Sequence, residues 1–221
     1  MIINSKKASF WIFPMDENQK TISDQEIHIA SLLPKKRSIQ YKISRGYIRF
    51  IISKLFKIKP LEVPLYSLPN ADPILGKNFG YVSMSHCYDT LFIGWSKNKI
   101  GVDIEKINTK LLDIKIIKRF FNEKDNLRIQ NISKELLQDE VIKIWVIKES
   151  LIKWQNGNLF NGLKYWDINH KMKIANYKNS KSKINISNFR FKSWEIGIAS
   201  SEKLNSDQLK INFYDDSFLY K

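Results

Sequence analysis

Gly101-Val102-Asp103-Ile104-Glu105 alternates apolar and acidic residues after a glycine. On a β-strand successive side chains point to opposite faces, so Asp103 and Glu105 share one face while Val102 and Ile104 turn into a core. Like charges held this close repel unless a cation or a basic group stands between them. Solvent exposure on an edge strand, with Lys106 as a partial neutraliser, meets that need. A magnesium ion (Mg2+) also meets it, because a hard cation takes oxygen ligands. The pentapeptide by itself leaves both readings open.

The second decisive stretch is Trp145-Val146-Ile147-Lys148-Glu149-Ser150-Leu151-Ile152-Lys153. It lies in a helix expected from about Lys134 to Gln155 and ended by Asn156-Gly157-Asn158. Leu137, Val141, Ile144, Lys148 and Leu151 fall near one stripe, whereas Trp145, Glu149 and Lys153 fall at successive turns on another. A helix packed on the acidic strand brings Glu149 to Asp103 and Glu105, so that all three can hold one octahedral ion with water and a substrate phosphate. Lys153 can contact a phosphate oxygen as a mobile point charge. An ordinary Glu149–Lys153 surface pair, worth about 0.2–0.5 kcal/mol, accounts for those two residues but not for the whole pattern.

Upstream, Ser85 and His86 follow the start of an apolar strand, and a hydroxyl and an imidazole there can bind a terminal phosphate. They are not part of a nucleophilic triad, since no strained nucleophile turn surrounds them. Cys87 reads as a small buried or half-buried residue. Lys36 and Arg37 follow Pro34 and either meet phosphate oxygens or form a solvated face. Arg45, one turn before Arg49, either reaches the same anion or braces its helix. Lys77, in Gly76-Lys77, is a loop candidate for nucleotide phosphates.

The 221 residues allow one large domain or two small ones. A formal net charge of +15 attracts acidic proteins, nucleic acids, anionic lipids and polyphosphates without choosing among them. The single cysteine excludes an intramolecular disulfide framework. No run of about 18 uncharged apolar residues is present, so a membrane span is not expected. Residues 1–13 lack the basic-then-apolar layout of a signal peptide. A soluble, cytoplasmic protein is the expectation.

Strands are expected over 8–14, 81–85, 91–96 and 100–105, and a helix capped by Asp24 runs up to Pro34. A second helix spans 38–56, and 60–80 is a loop with a short strand near 63–66. A helix over 111–120 and a loop at 122–126 precede the long helix. Strands follow over 160–168, 172–177, 184–191, 194–199 and 209–214. Leu91-Phe92-Ile93-Gly94-Trp95-Ser96 and Trp194-Glu195-Ile196-Gly197-Ile198-Ala199 echo each other, which allows two related α+β halves, 1–100 and 101–221.

In order and spacing, these segments resemble the 4′-phosphopantetheinyl transferase superfamily, in its larger, Sfp-like class. Gly101–Glu105 looks like that family's Gly-(Ile/Val)-Asp-Ile-Glu motif, and Trp145–Lys153 matches Trp-x-x-Lys-Glu-(Ala/Ser)-x-x-Lys at every fixed place. Val82-Ser83-Met84-Ser85-His86 resembles the Asn-x-Ser-His strand, with Ser83 in place of asparagine, and Ser44–Arg49 resembles the helix before it. Phe120-Phe121-Asn122-Glu123 resembles the Arg-Phe-Phe-(Ser/Thr)-x-x-Glu region, with its acidic position displaced.

The resemblance implies a pseudo-twofold pair of similar α+β subdomains, each a small antiparallel sheet packed by helices, with the active site in the cleft between them. It implies Mg2+ on Asp103, Glu105 and Glu149. Coenzyme A would have its 3′-phosphate on Ser85 and His86, assisted by Lys36 or Arg37, and its diphosphate against Lys153. Lys77 resembles the lysine of a Gly-Lys-Pro loop in which Asn78 replaces proline. The implied reaction transfers phosphopantetheine from coenzyme A to a serine of an apo acyl or peptidyl carrier protein and releases adenosine 3′,5′-bisphosphate. Glu149, directly or through water, would take the serine proton. The docking region would lie near Phe120–Leu127, the basic surface would steer an acidic carrier, and a monomer is implied.

Two other classes compete. A metal-dependent nuclease would use the same acids and Lys153, but that lysine lies on a helix and no aromatic and basic stripe suits a nucleic-acid strand. A nonenzymatic basic nucleic-acid-binding protein explains the net charge and nothing of the two motifs.

Overall fold

In the computed structural model, residues 8–15, 20–66, 68, 71–107, 117, 119–157, 162–178 and 180–213 are described. They form an α+β protein with two sheet groups packed by helices, in two units: Met1–Lys97 with Ser206–Lys221, and Asn98–Asn205.

In the first unit, β1 (Ala8–Pro14) pairs antiparallel with β5 (Thr90–Ser96), and β5 pairs antiparallel with β4 (Tyr81–Cys87). A short ribbon joins β2 (Leu65–Tyr66) to β3 (Ile74–Leu75). The helix α1 (Asp24–Ser31) is capped by Ser23 rather than by Asp24, because Ser23 and Glu26 form a reciprocal capping box. The helix α2 (Lys35–Phe56) starts three residues before the expected 38, directly after Pro34, whose fixed φ suits a helix entrance. Its residues Ile43, Tyr47, Ile48, Ile51 and Ile52 pack on Trp11, Phe13, Leu91, Ile93 and Trp95 in one core.

The second unit carries β6 (Ile100–Lys106), β7 (Trp166–Asn169), β8 (Ile174–Tyr177), β9 (Lys183–Phe191) and β10 (Trp194–Ser200) in one sheet. Their order is β6-β10-β9-β8-β7, every pair antiparallel. The region read as a loop at 122–126 is instead the start of α3 (Glu123–Gln130), which Asn122 caps in a capping box with Asp125. The helix α4 (Lys134–Gln155) has the expected span, and its C-cap Asn156 takes the left-handed conformation at φ 56°. The helix expected over 111–120 falls largely outside the described residues, as do 160 and 161 at the start of the strand expected over 160–168.

The helix α4 lies directly on β6 and β10 because two glycines let it. A Cβ on Gly101 would stand 2.0 Å from the Ser150 carbonyl oxygen, and one on Gly197 would stand 2.3 Å from that of Val146. Neither gap admits a methyl group, so the seating of the helix depends on both positions.

The strand β11 (Ile211–Phe213) pairs parallel with β1, so that sheet is mixed, in the order β11-β1-β5-β4. A parallel neighbour needs a long crossover, and here the crossover is the whole second unit. Residues 206–221, assigned to the second half by a boundary at 100 and 101, thereby group with the first unit. Among the described residues no helix is long and apolar enough to cross a membrane.

Candidate functional site

The face of β6 that carries Gly101, Asp103 and Glu105 is the face that α4 covers. Exposure at an edge, the plainer reading of the acidic pair, does not hold for Asp103. That residue is 3% exposed although β6 is an edge strand, because the helix lies over it. Val102 and Ile104, on the opposite face, are fully buried.

From α4, Lys153 donates through Nζ to Asp103 Oδ1 at 2.7 Å. Glu149, one turn earlier, is half-buried at the same face. Burial first, and then the neighbouring Asp103 and Glu105 carboxylates, push the Glu149 carboxyl up to about 8, with Lys153 opposing. The structure thus brings Asp103, Glu105, Glu149 and Lys153 into one electrostatic neighbourhood. As they stand, no three Asp, Glu, His or Cys side chains among the described residues form a group that could hold a metal ion. The ammonium of Lys153 is the cation that Asp103 now contacts. The chemistry of the set still suits a hard divalent ion. Its acids are all oxygen donors, and Asp103 and Glu105 place negative charge beside the buried Glu149 carboxyl that a cation would relieve.

Cross-strand register adds a carboxylate absent from the sequence reading. Glu195 on β10 stands opposite Glu105 and is 1% exposed. Asn188 donates to its Oε1 at 2.9 Å, while Arg190, bonded to Asp139 at 2.8 Å, approaches Oε2 to 3.6 Å. Cross-strand like charges are unfavourable, and Arg190 offsets part of that cost.

A buried ion pair behind the site is the other feature not expected. Lys148, on the stripe facing away from Glu149 and Lys153, is fully buried and meets Asp125 at 2.6 Å. It also donates to the carbonyls of Leu163 at 2.8 Å and Trp166 at 3.1 Å, so its three N–H bonds are used. Burial lowers its pKa against the opposing pull of Asp125. Asp125 occupies the last place of the Arg-Phe-Phe-(Ser/Thr)-x-x-Glu pattern counted from Arg119, so the acidic position is kept as aspartate and is not displaced. The capping-box spacing from Asn122 to Asp125 is the signal that identifies it.

The remaining site candidates lie in the first unit. Ser85 is buried and His86 exposed, since adjacent residues of β4 face opposite sides. The two side chains therefore project from opposite faces of β4 and do not form one pocket on a single face. Lys36 and Arg37 are exposed in the first turn of α2, where the helix macrodipole adds to their positive charge. Lys77 is exposed in a turn closed by Phe79 N–H donating to Gly76 O at 3.1 Å, with Asn78 at φ 75°. Arg45 braces: it is 2% exposed, donates to Ala71 O at 3.4 Å and stacks 4.6 Å from the Tyr41 ring. Arg49 is likewise internal, on Glu26 at 2.7 Å. Cys87 is a buried free thiol.

Sequence comparison with known proteins points the same way. A sequence model described as the 4′-phosphopantetheinyl transferase superfamily matches residues 99–208. A protein named 4′-phosphopantetheinyl transferase gsp, from Aneurinibacillus migulanus, is 24% identical over 153 residues, 65% of this chain. The chain spans 63% of that relative's length. A holo-(acyl-carrier-protein) synthase from Bacillus anthracis str. Ames, solved in complex with CoA (3′,5′-ADP), shares 17% identity at a TM-score of 0.40. That similarity covers 46% of this chain and 93% of the synthase.

Proposed function

Because the chain belongs to the 4′-phosphopantetheinyl transferase superfamily, we propose that it is a Mg2+-dependent transferase that moves 4′-phosphopantetheine from coenzyme A to a serine of an apo acyl or peptidyl carrier protein. Adenosine 3′,5′-bisphosphate is the other product. The observation that carries this reading is the convergence of Asp103, Glu105, Glu149 and Lys153 where α4 crosses β6.

Asp103, Glu105 and Glu149 are the proposed ligands of Mg2+. When bound there, the ion supplies positive charge against the diphosphate of coenzyme A. Lys153 leaves Asp103 to contact a diphosphate oxygen, a reach that its flexible stem allows. The serine oxygen forms a new bond to phosphorus as the bond to the departing bisphosphate breaks. The serine proton passes to Glu149, directly or through water. A carboxylate bound to a metal is a poor base, so transfer through water is the physically easier route. His86, with Lys36 or Arg37, is the proposed contact for the 3′-phosphate, Ser85 the accompanying strand residue, and Lys77 a loop contact to the nucleotide. The enzyme is proposed to act as a cytoplasmic monomer, its basic surface steering an acidic carrier toward α3.

The test is incubation with coenzyme A, Mg2+ and a panel of apo acyl and peptidyl carriers. The expected result is a carrier mass increase of one phosphopantetheine, with equimolar adenosine 3′,5′-bisphosphate, abolished by chelation. Absence of both products across the panel overturns the reading.

A further inference from the structure

The helix α3, proposed above to receive the carrier, is held in part by a buried carboxylate. Asp125 is its one buried residue, and Leu127 and Arg128 are exposed. A helix normally takes its place from an apolar stripe. Here Ile129 packs on the Phe121, Val141 and Ile144 cluster, Arg128 pairs with Glu140, and polar bonds from the first turn add the buried anchor. Asp125 meets Lys148 of α4 at 2.6 Å and also accepts from Asn122 N–H at 2.9 Å. Asn122 donates through Nδ2 to Trp166 O at 3.0 Å and to Asp167 Oδ1 at 2.9 Å. Lys124 meets Asp167 at 2.7 Å.

Lys148 immediately precedes Glu149, and its other two bonds hold the 163–166 turn. One buried ammonium therefore ties the start of α3 and the edge of the sheet to the helix that carries the proposed chemistry. We propose that Asp125 and Lys148 form a polar latch that positions α3 for carrier engagement, with Asp167 as its outer support. They are positioning residues: the latch acts on the carrier and not on coenzyme A. This inference rests on the transferase reading given above.

The experiment measures transfer with carrier and coenzyme A varied separately, alongside thermal unfolding, for the full chain and three variants. Asp125→Asn keeps volume and cap but removes the charge. It should raise KM for the carrier about tenfold while kcat and KM for coenzyme A stay within about twofold. Asp125→Glu restores the charge at a capping-box position and should recover most of the carrier KM. Asp167→Ala, at a side chain 48% exposed, is expected to fold normally and to raise carrier KM by about threefold. It carries the test alone if Asp125→Asn does not fold. An unchanged carrier KM in Asp167→Ala, or an equal rise in KM for coenzyme A, overturns the latch while leaving the transferase reading intact. A wild-type protein that modifies no carrier overturns both.

Discussion

Lys153 and Asp103 share a 2.7 Å ion pair but not an environment: the lysine side chain is 20% exposed and the aspartate 4%. Removing either has different consequences. Asp103→Ala frees a lysine that can turn to water. Lys153→Ala leaves a buried carboxylate without its ammonium. We expect Lys153→Ala to lower stability by about 2 kcal/mol more than Asp103→Ala, measured by urea unfolding. Both variants should lose at least about 100-fold in transfer rate, the loss typical of removing a charge-stabilising group. Full activity in Asp103→Ala would show that it holds no metal.

Gly101 and Gly197 set how close α4 approaches the sheet. A methyl at either place meets backbone atoms, which cannot swing aside as a side chain can. Gly101→Ala and Gly197→Ala should each destabilise the protein by about 3 kcal/mol, at the upper end for overpacking, or prevent folding. Denaturant midpoints near wild type in both would contradict the direct seating of α4.

In the first unit, Arg49 and Glu26 are an internal ion pair at 2.7 Å, with side chains 5% and 6% exposed. Arg49 also donates to the carbonyls of Pro60 at 3.1 Å and Val63 at 3.0 Å. Arg49→Met should cost about 3–5 kcal/mol, the range for stripping one partner from a buried pair. An unfolding free energy unchanged within error would place this arginine among solvated residues.

His170 is held below the ordinary 6.5, first by burial and then by Arg128, with Lys143 acting the same way and Glu140 and Asp125 opposing. The unfolded chain therefore binds a proton more readily than the folded one. Stability from this group is present above pH 6.5 and is lost as pH falls through the lowered folded value. Thermal midpoints should decline on acidification below 6.5, and His170→Gln should flatten that decline. Identical slopes in the two proteins would assign the acid sensitivity elsewhere.

Much of this was readable along the chain because periodicity is local. Residues 8–14 and 134–155 take the strand and the helix that their patterns require. The joint face of Asp103 and Glu105, and the turn spacing of Glu149 and Lys153, follow from strand and helix geometry alone. α3 was hidden because its sequence is polar and its anchor is a carboxylate, which no apolar pattern reveals. Lys148 on an apolar stripe signalled burial, but its partner comes from another helix. Glu195 became visible only through the register that sets it against Glu105. The opposite facing of Ser85 and His86 follows from alternation and was available from their adjacency.

The parallel strand β11 also fixes an order of events at the ribosome. Residues 98–205 form a contiguous unit that can collapse as soon as it emerges. The first unit, although made first, keeps one side of β1 without its strand partner until Ile211–Phe213 are synthesised. During that interval the nascent chain exposes a sheet edge containing Phe10 and Trp11, a surface open to pairing with other chains. Chaperone demand for this unit should thus persist until β11 has emerged, and truncations that remove β11 should aggregate through the first unit.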